Sequence, residues 1–502
     1  MTHPYLPLTD ADRQAMFEAL GISDISQLFA DIPDDVRLKR DLHLPEGLSE
    51  AELLKTLQAF AQKNRSTESL IHFLGAGAYD HIIPAVVDAV IARSEFYTAY
   101  TPYQPELSQG GLQAMFEFQT MIASLTGMDA ATSSHYDAHT ALAEATLLSL
   151  RESKRKKIAL SPALHPESRS VVRAYTAGWD VDMVHVPLRG GMIDLDALEA
   201  TLKGGDISAL LIQYPNFFGL IEPLDKIATL TQGYGSHLIV MSNPLSLALF
   251  QSPGAYGADI VCGDMQPLGI PLNFGGPYAG YFTVKERWLR KVPGRIVGET
   301  RDERGRRGYV LTLQTREQHI RREKATSNIT SNQALMALAS AVAMSAFGPE
   351  GLREMAEQNF HKAHYTLAAI EAQTPYRRVY DGLFFNEFLL GLDRPAVDVE
   401  QMGLKVGLLP GLPLSRLFPK TEAPEELADQ WERLLLIAVT EKRTRVEIDA
   451  LVAFLKQVAN GEHESQIKPQ IELEINDEGW RALKNDEAHG TSKQSDEEGQ
   501  KA

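Results

Sequence analysis

The 502-residue sequence contains a single cysteine, Cys262. A lone thiol excludes an internal disulfide and any metal centre built on several cysteines, which fits a reducing compartment. The stretch from Met1 to Asp10 has no basic segment followed by an apolar run, and no segment reads as a bilayer span. Neither export nor membrane anchoring is therefore expected, and the sequence predicts a cytoplasmic protein. Positive charge is also in short supply: 49 Lys and Arg against 66 Asp and Glu leave a net charge of -17. That balance repels nucleic acid and anionic lipid. There is no internal repeat and no metal-type spacing of His, Cys and acids.

What is present is globular in character. Hydrophobic residues make up 44% and charged residues 23%, close to the average for folded domains, and the length predicts two to four units. Up to about residue 70, short amphipathic patterns at Asp10 to Leu20 and Ser49 to Gln62 predict the helices of an arm or cover. From 71 to 325 apolar runs alternate with helical segments. The runs are Ile158 to Leu160, Val181 to Val186, Ala209 to Ile212, Leu238 to Met241, Asp259 to Val261 and Tyr281 to Val284. Between them lie Ala138 to Leu150, Pro166 to Ala177, Leu195 to Leu202 and Leu224 to Thr231. Continuous apolar strands alternating with helices predict an α/β domain with a mostly parallel sheet, whose ligands gather at the carboxyl ends of the strands. An Ala- and Met-rich helix, Ala334 to Phe347, is expected to lead into a smaller α+β domain spanning 326–458. There Glu350 to Glu371 and Val446 to Val458 read as helices, and Leu383 to Leu392 and Leu434 to Val439 as apolar runs. Residues 459–502 are polar and charged, a composition that predicts a disordered tail.

Several stretches carry chemistry or bracing. In YTPYQPELSQG, Tyr100 to Gly110, two prolines fix the backbone before a helix start. The loop can be a packing brace or can present Tyr and Gln side chains to a ligand or another subunit, and the residues alone leave both open. Asp137 to Thr140 precede a helix whose N-terminus could hold an anion, although a plain N-cap by Asp137 or Ser134 is the commoner use. His139 and His319 can titrate near neutrality but more often serve as hydrogen-bonded structural residues. Cys262 reads as a small buried hydrophobe. Basic residues concentrate between Arg287 and Lys324, including Arg301, Arg304, Arg306, Arg307, Arg316, Arg321 and Arg322. This is either a docking surface or a stretch neutralised by Glu299, Asp302, Glu303, Glu317 and Glu323. Gly275 to Pro277 reads as a tight turn.

YTPYQPELSQG, QPLGIPLNFGGPYAGYF from Gln266, VPGRIVGET from Val292 and LTLQTREQHIRREKATSNITSNQAL from Leu311 together resemble the first half of glycine-cleavage P-proteins, in order and spacing, over nearly all of the chain to about Val458. The resemblance implies the fold-type I architecture of pyridoxal-phosphate (PLP) transferases. It implies the glycine dehydrogenase (aminomethyl-transferring) reaction: glycine is decarboxylated on PLP and the aminomethyl group passes to the lipoyl arm of H-protein.

Such an enzyme needs a lysine for the Schiff base and an acid to hold the pyridine nitrogen protonated. In this fold the acid ends one strand, where Ser242 and Asn243 stand here. The lysine follows the next strand, where this chain has Pro267, and no lysine occurs between Ser242 and Val284. Asp259 and Asp264 match neither position, the first opening its strand and the second lying in the loop beyond it. The resemblance thus implies the first, lysine-free subunit of a split enzyme, with no catalytic residue of its own and no metal. PLP would be bound covalently by a lysine-bearing second subunit, two copies of each chain forming the complex. Thr101 and Tyr103, then Tyr100 and Gln104, are the expected cofactor-contacting residues, reaching across the interface. The competing readings are an independent PLP enzyme with its lysine outside that interval, and a non-catalytic scaffold or regulatory paralogue.

Overall fold

The computed structural model describes residues 5, 7–67, 69–325, 327–329, 333–462, 472–475 and 481–484. The chain divides into two compact units, Met1–Arg65 and Ser66–Ala502. In the first, helix α1 (Asp10–Leu20) starts at Thr9 and helix α2 (Glu50–Ala61) at Ser49. Each N-cap hydroxyl accepts from the backbone N–H three residues on, while that residue's carboxylate accepts from the cap's N–H. These reciprocal bonds satisfy donors that a helix start leaves free, so the bounds fall where the cap residues predict them. No residue of either helix is buried.

In the second unit, helix α3 (Gln109–Thr126) precedes a seven-stranded sheet. Its strands in chain order are β1 (Ala130–Ala131), β2 (Lys157–Leu160), β3 (Asp182–His185), β4 (Ile207–Tyr214), β5 (His237–Ser242), β6 (Ile260–Asp264) and β7 (Gly280–Val284). The spatial order is β1-β7-β6-β5-β4-β2-β3. Strands β3, β2, β4, β5 and β6 run parallel, while β7 pairs antiparallel with both β6 and β1. Both faces are covered by apolar clusters, one including Leu210, Val240 and Val261, the other Leu211, Ile239 and Cys262. Alternate residues of one strand thus feed opposite cores, which is why these runs are apolar without interruption. Helix α4 (Ala138–Ser153) lies in the second cluster and α5 (Pro166–Thr176) packs beside it.

Beyond the sheet a hairpin forms from β8 (Ile296–Arg301) and β9 (Arg307–Thr312), with Arg301, Arg304, Arg306 and Arg307 of the expected basic patch at its tip. Helix α6 (Ala334–Gln373) follows as 40 residues, interrupted at Gly348 (φ 63, ψ -178) just before Pro349. The two helices expected here are thus joined end to end, and the break is where proline removes a backbone donor. Among the described residues α6 alone has the length and apolarity of a bilayer span. The reading that no segment does so is corrected, but Ala337, Ala341, Met344 and Leu352 of α6 are buried in the apolar cores. A four-stranded antiparallel sheet with Glu387–Gly391 and Leu434–Ala438 at its centre completes the C-terminal part. In the expected tail, Glu472–Ile475 pairs with Arg481–Lys484; residues 463–471, 476–480 and 485–502 lie outside the described residues.

Candidate functional site

A cavity of about 430 Å³ opens at the carboxyl ends of β4, β5 and β6. Its wall includes Gln213, Ser242, Asn243, Asp264 and Pro267, the start of α4 at Asp137 to His139, the start of α5 at His165 and Glu167, and the loop Gly75 to Tyr79. The residues expected at the acid and lysine positions line one cavity, and among the described residues no lysine lines it.

The polar groups of this cavity are bonded to one another. The Tyr281 hydroxyl donates to the Ser242 carbonyl at 2.7 Å and lies 3.1 Å from its hydroxyl. Asn243 Oδ1 accepts from the Leu245 N–H at 3.0 Å, capping a short turn. At the α4 N-terminus, Asp137 accepts from the Thr140 N–H at 2.8 Å, and Asp264 from Ala138 N–H at 3.3 Å and Gln266 N–H at 2.8 Å. The N-cap reading of Asp137 therefore holds, and two donors that would face an incoming phosphate are met by the chain's own carboxyl groups. Gly280 permits this approach: a Cβ there would lie 2.3 Å from the Asp137 carbonyl oxygen.

Asp264 ends β6 and does not lie in a loop beyond it, and Cys262 stands mid-strand while Asp259 precedes the strand, paired with Arg287. Burial, reinforced by the charge of Asp137, pushes the Asp264 carboxyl up to about 7. Burial likewise raises Glu387 to about 7. That residue accepts from the Ala76 N–H at 2.6 Å and the Tyr79 hydroxyl at 3.0 Å, tying the cavity loop to the C-terminal sheet. Sequence reading weighed Asp264 only as a loop residue and did not name Glu387; an acid ending an uninterrupted apolar run, as in IVCGD, is the signal that could have placed Asp264.

His139, His165 and Glu167 come within 4.8 Å of one another through potential ligand atoms. Both His165 nitrogens are already engaged, Nε2 with the Ala76 carbonyl at 3.0 Å and Nδ1 with the Glu167 N–H at 3.2 Å. Burial and the neighbouring His139 lower His165 to about 3, so the ring stays neutral. Its lone pair serves the start of α5, and the trio has no free ligand set to offer a metal.

A second region gathers three of the four signature stretches. The Tyr103 ring sits edge-on to His319 at 5.6 Å, with the Arg295 guanidinium 6.0 Å from its centre. Beneath it Arg295 pairs with Glu317 at 3.6 Å, both side chains buried, and His319 approaches the same carboxylate at 3.6 Å. Tyr103 is 52% exposed and Tyr100 80% exposed. Gln104 is exposed too, and Thr101 is partly buried along a separate cavity of about 630 Å³ that Tyr100 also lines. None of these four reaches the sheet-end cavity. Two amides of α3 anchor the region. The side chain of Gln109 donates to the Tyr309 carbonyl and accepts from its N–H, and Gln119 does the same with Val297. Part of the basic stretch is neutralised locally, Arg306 by Asp302 and Arg295 by Glu317.

Residues 3–455 match the family model of the glycine cleavage system P-protein. The chain is 55% identical to a probable glycine dehydrogenase (decarboxylating) subunit 1 of Geobacillus kaustophilus, over 90% of this chain and 98% of the relative. It also resembles a solved glycine decarboxylase (P-protein) of the glycine cleavage system in inhibitor-bound form, at 41% identity and a TM-score of 0.81, covering 91% of this chain and all of that one. A cysteine desulfurase of Thermococcus onnurineus shares the fold at 14% identity, TM-score 0.58, over 79% of this chain and 96% of that one.

Proposed function

The chain belongs to the glycine cleavage system P-protein family, and from that membership we infer that it is the lysine-free half of a split enzyme. It has the fold-type I architecture and is a subunit of glycine dehydrogenase (decarboxylating). PLP does not fit this chain's own sheet-end cavity: there is no lysine to bind it, Ser242 and Asn243 replace the ring acid, and the helix start that would meet a phosphate is met by Asp137 and Asp264. That internal satisfaction is the observation that carries the reading. The cofactor and its lysine reside on a second, paralogous subunit, and two copies of each chain close the complex, the usual outcome for a self-complementary interface. The assembly works in the cytoplasm on glycine and delivers the aminomethyl group to lipoylated H-protein.

This chain's contribution is positional. Tyr103, held between Arg295 and His319, projects from a proline-braced loop with its hydroxyl available to a ligand on the neighbouring subunit. Thr101, Tyr100 and Gln104 flank it. Rigid presentation of such donors keeps a bound anion oriented without the entropy cost of ordering a mobile loop.

The experiment is reconstitution. The chain purified alone and mixed with PLP should give no borohydride-reducible adduct and no decarboxylation of glycine, and both should appear when the lysine-bearing paralogue is added. A reducible adduct on this chain alone would establish the independent enzyme instead. Activity of the paralogue that is unchanged by adding this chain would establish the scaffold.

A further inference from the structure

We propose that Arg169, Arg173 and His185 form a binding site for a small, doubly charged oxyanion, either inorganic phosphate or the phosphate group of a small metabolite. All three belong to the second compact unit. Arg169 and Arg173 stand one turn apart on α5, and His185 ends β3, the edge strand of the seven-stranded sheet. None of them lines the sheet-end cavity. Arg169 is only 6% exposed, and its Nε is enclosed without a hydrogen-bond partner. Among the described residues neither arginine side chain meets a carboxylate within 4.0 Å.

A buried cation is costly unless a counter-charge meets it. The surroundings of Arg169 mostly do the reverse. Burial disfavours its charge, Glu422 favours it and Arg173 disfavours it again. Like charges four residues apart on a helix repel, so this pair weakens α5 unless an anion bridges it. Burial, then Arg169 and Arg173, likewise hold His185 below its ordinary range. The Phe418 ring, 5.6 Å from the Arg169 guanidinium, offers a face but accepts none of its five N–H donors in a normal hydrogen bond. Of the acids nearby, Glu400 is taken by Arg416 at 2.5 Å, and Glu422 stands beyond ion-pair distance. Two guanidinium groups and an imidazole against one carboxylate leave a local excess of positive charge in a chain of net charge -17. Guanidinium forks match the oxygens of a phosphate, and only a small group can reach one so covered. An anion held there would join α5 and β3 to the segment carrying Phe418 and Glu422. The proposal is independent of the two-subunit reading.

The test is calorimetric titration of the full-length chain at about pH 8, where phosphate is doubly charged. Inorganic phosphate and glycerol 3-phosphate are the two probes, with ionic strength held constant by sodium chloride. Wild type should bind one equivalent saturably. Arg169→Met should weaken binding by about a hundredfold, since two hydrogen bonds to a charged group are lost. Arg173→Gln, an exposed change that leaves folding intact, should weaken it by about tenfold and keeps the test decisive if the first variant does not fold. Glu422→Gln removes the one competing carboxylate and should tighten binding while melting as wild type does without phosphate. Tighter binding of glycerol 3-phosphate assigns the site to a phosphate ester, and tighter binding of inorganic phosphate assigns it to the free ion. Absence of saturable binding by wild type overturns the proposal, as does unchanged binding by Arg173→Gln. A Glu422→Gln chain that melts earlier and binds no tighter also overturns it, because Glu422 would then be the counter-charge of Arg169.

Discussion

The sheet-end cavity and the Tyr103 cluster use similar side chains to opposite ends. Around the cavity, Ser242, Asn243, Asp137, Asp264 and His165 spend their hydrogen-bonding capacity on neighbouring groups of the same chain. In the cluster the charged pair Arg295 and Glu317 is sunk below the surface, while the ring above it is half exposed. Shape alone therefore misleads about where a ligand belongs. The better guide is whether the polar groups at a site are already satisfied, because an occupied donor must be freed before it can bind anything.

The contrast is broken most severely at its buried charge. Arg295→Leu leaves Glu317 without its cation in a buried setting, and should cost about 3–5 kcal/mol in denaturant unfolding of the isolated chain. The double variant Arg295→Leu, Glu317→Leu should recover most of that loss. A smaller effect, and one of function and not of fold, is expected from Tyr103→Phe in the reconstituted complex. One hydrogen bond to a charged group is worth about 1.5–3 kcal/mol, so turnover or PLP retention should fall roughly ten- to a hundredfold while assembly is unaffected. Unchanged kinetics would return the loop to a packing role.

The mildest effect is expected in the cavity. Asp264 keeps its proton in the folded state up to about pH 7, whereas the unfolded chain releases it near pH 4. The folded form thus binds more protons across that interval, and its stability falls as pH rises through it. Asp264→Asn has no proton to lose. Its melting temperature should gain on wild type between pH 5 and pH 8, by roughly 1–3 °C. A gap that stays constant with pH would show that the carboxyl ionises normally.

Those experiments also mark where sequence patterns were sufficient. Asp10–Leu20 and Leu195–Leu202 were legible to the residue because Thr9 and Asp194 cap them, and a cap is a local signal. The central strands were legible from their uninterrupted apolar runs. The end of β6 was not: Gly263 and Asp264 are poor strand formers, and only their ladder with Gly280 and Tyr281 extends the strand that far. The hairpin of β8 and β9 was hidden because its exposed half is charged, so Glu299 to Arg307 read as a basic patch and not as strands. In the sequence itself, the lack of any lysine between Ser242 and Val284 is plain. The buried pair of Arg295 with Glu317 is not, since 21 intervening residues fold back on themselves to make it.

The two glutamines of α3 have a mechanical meaning. Gln109 and Gln119 each grip one peptide group of the hairpin by both its donor and its acceptor, as a neighbouring strand would. Ten residues of helix separate them, about 15 Å along its axis. Two double-ended fastenings that far apart prevent both sliding and pivoting, so helix and hairpin translate as one plate. The loop bearing Tyr103 leads directly into that helix, and the arginine-rich tip projects from the far end of the hairpin. The root of the tyrosine loop and the hairpin that carries the arginine-rich tip are thus fastened to the same helix at two points.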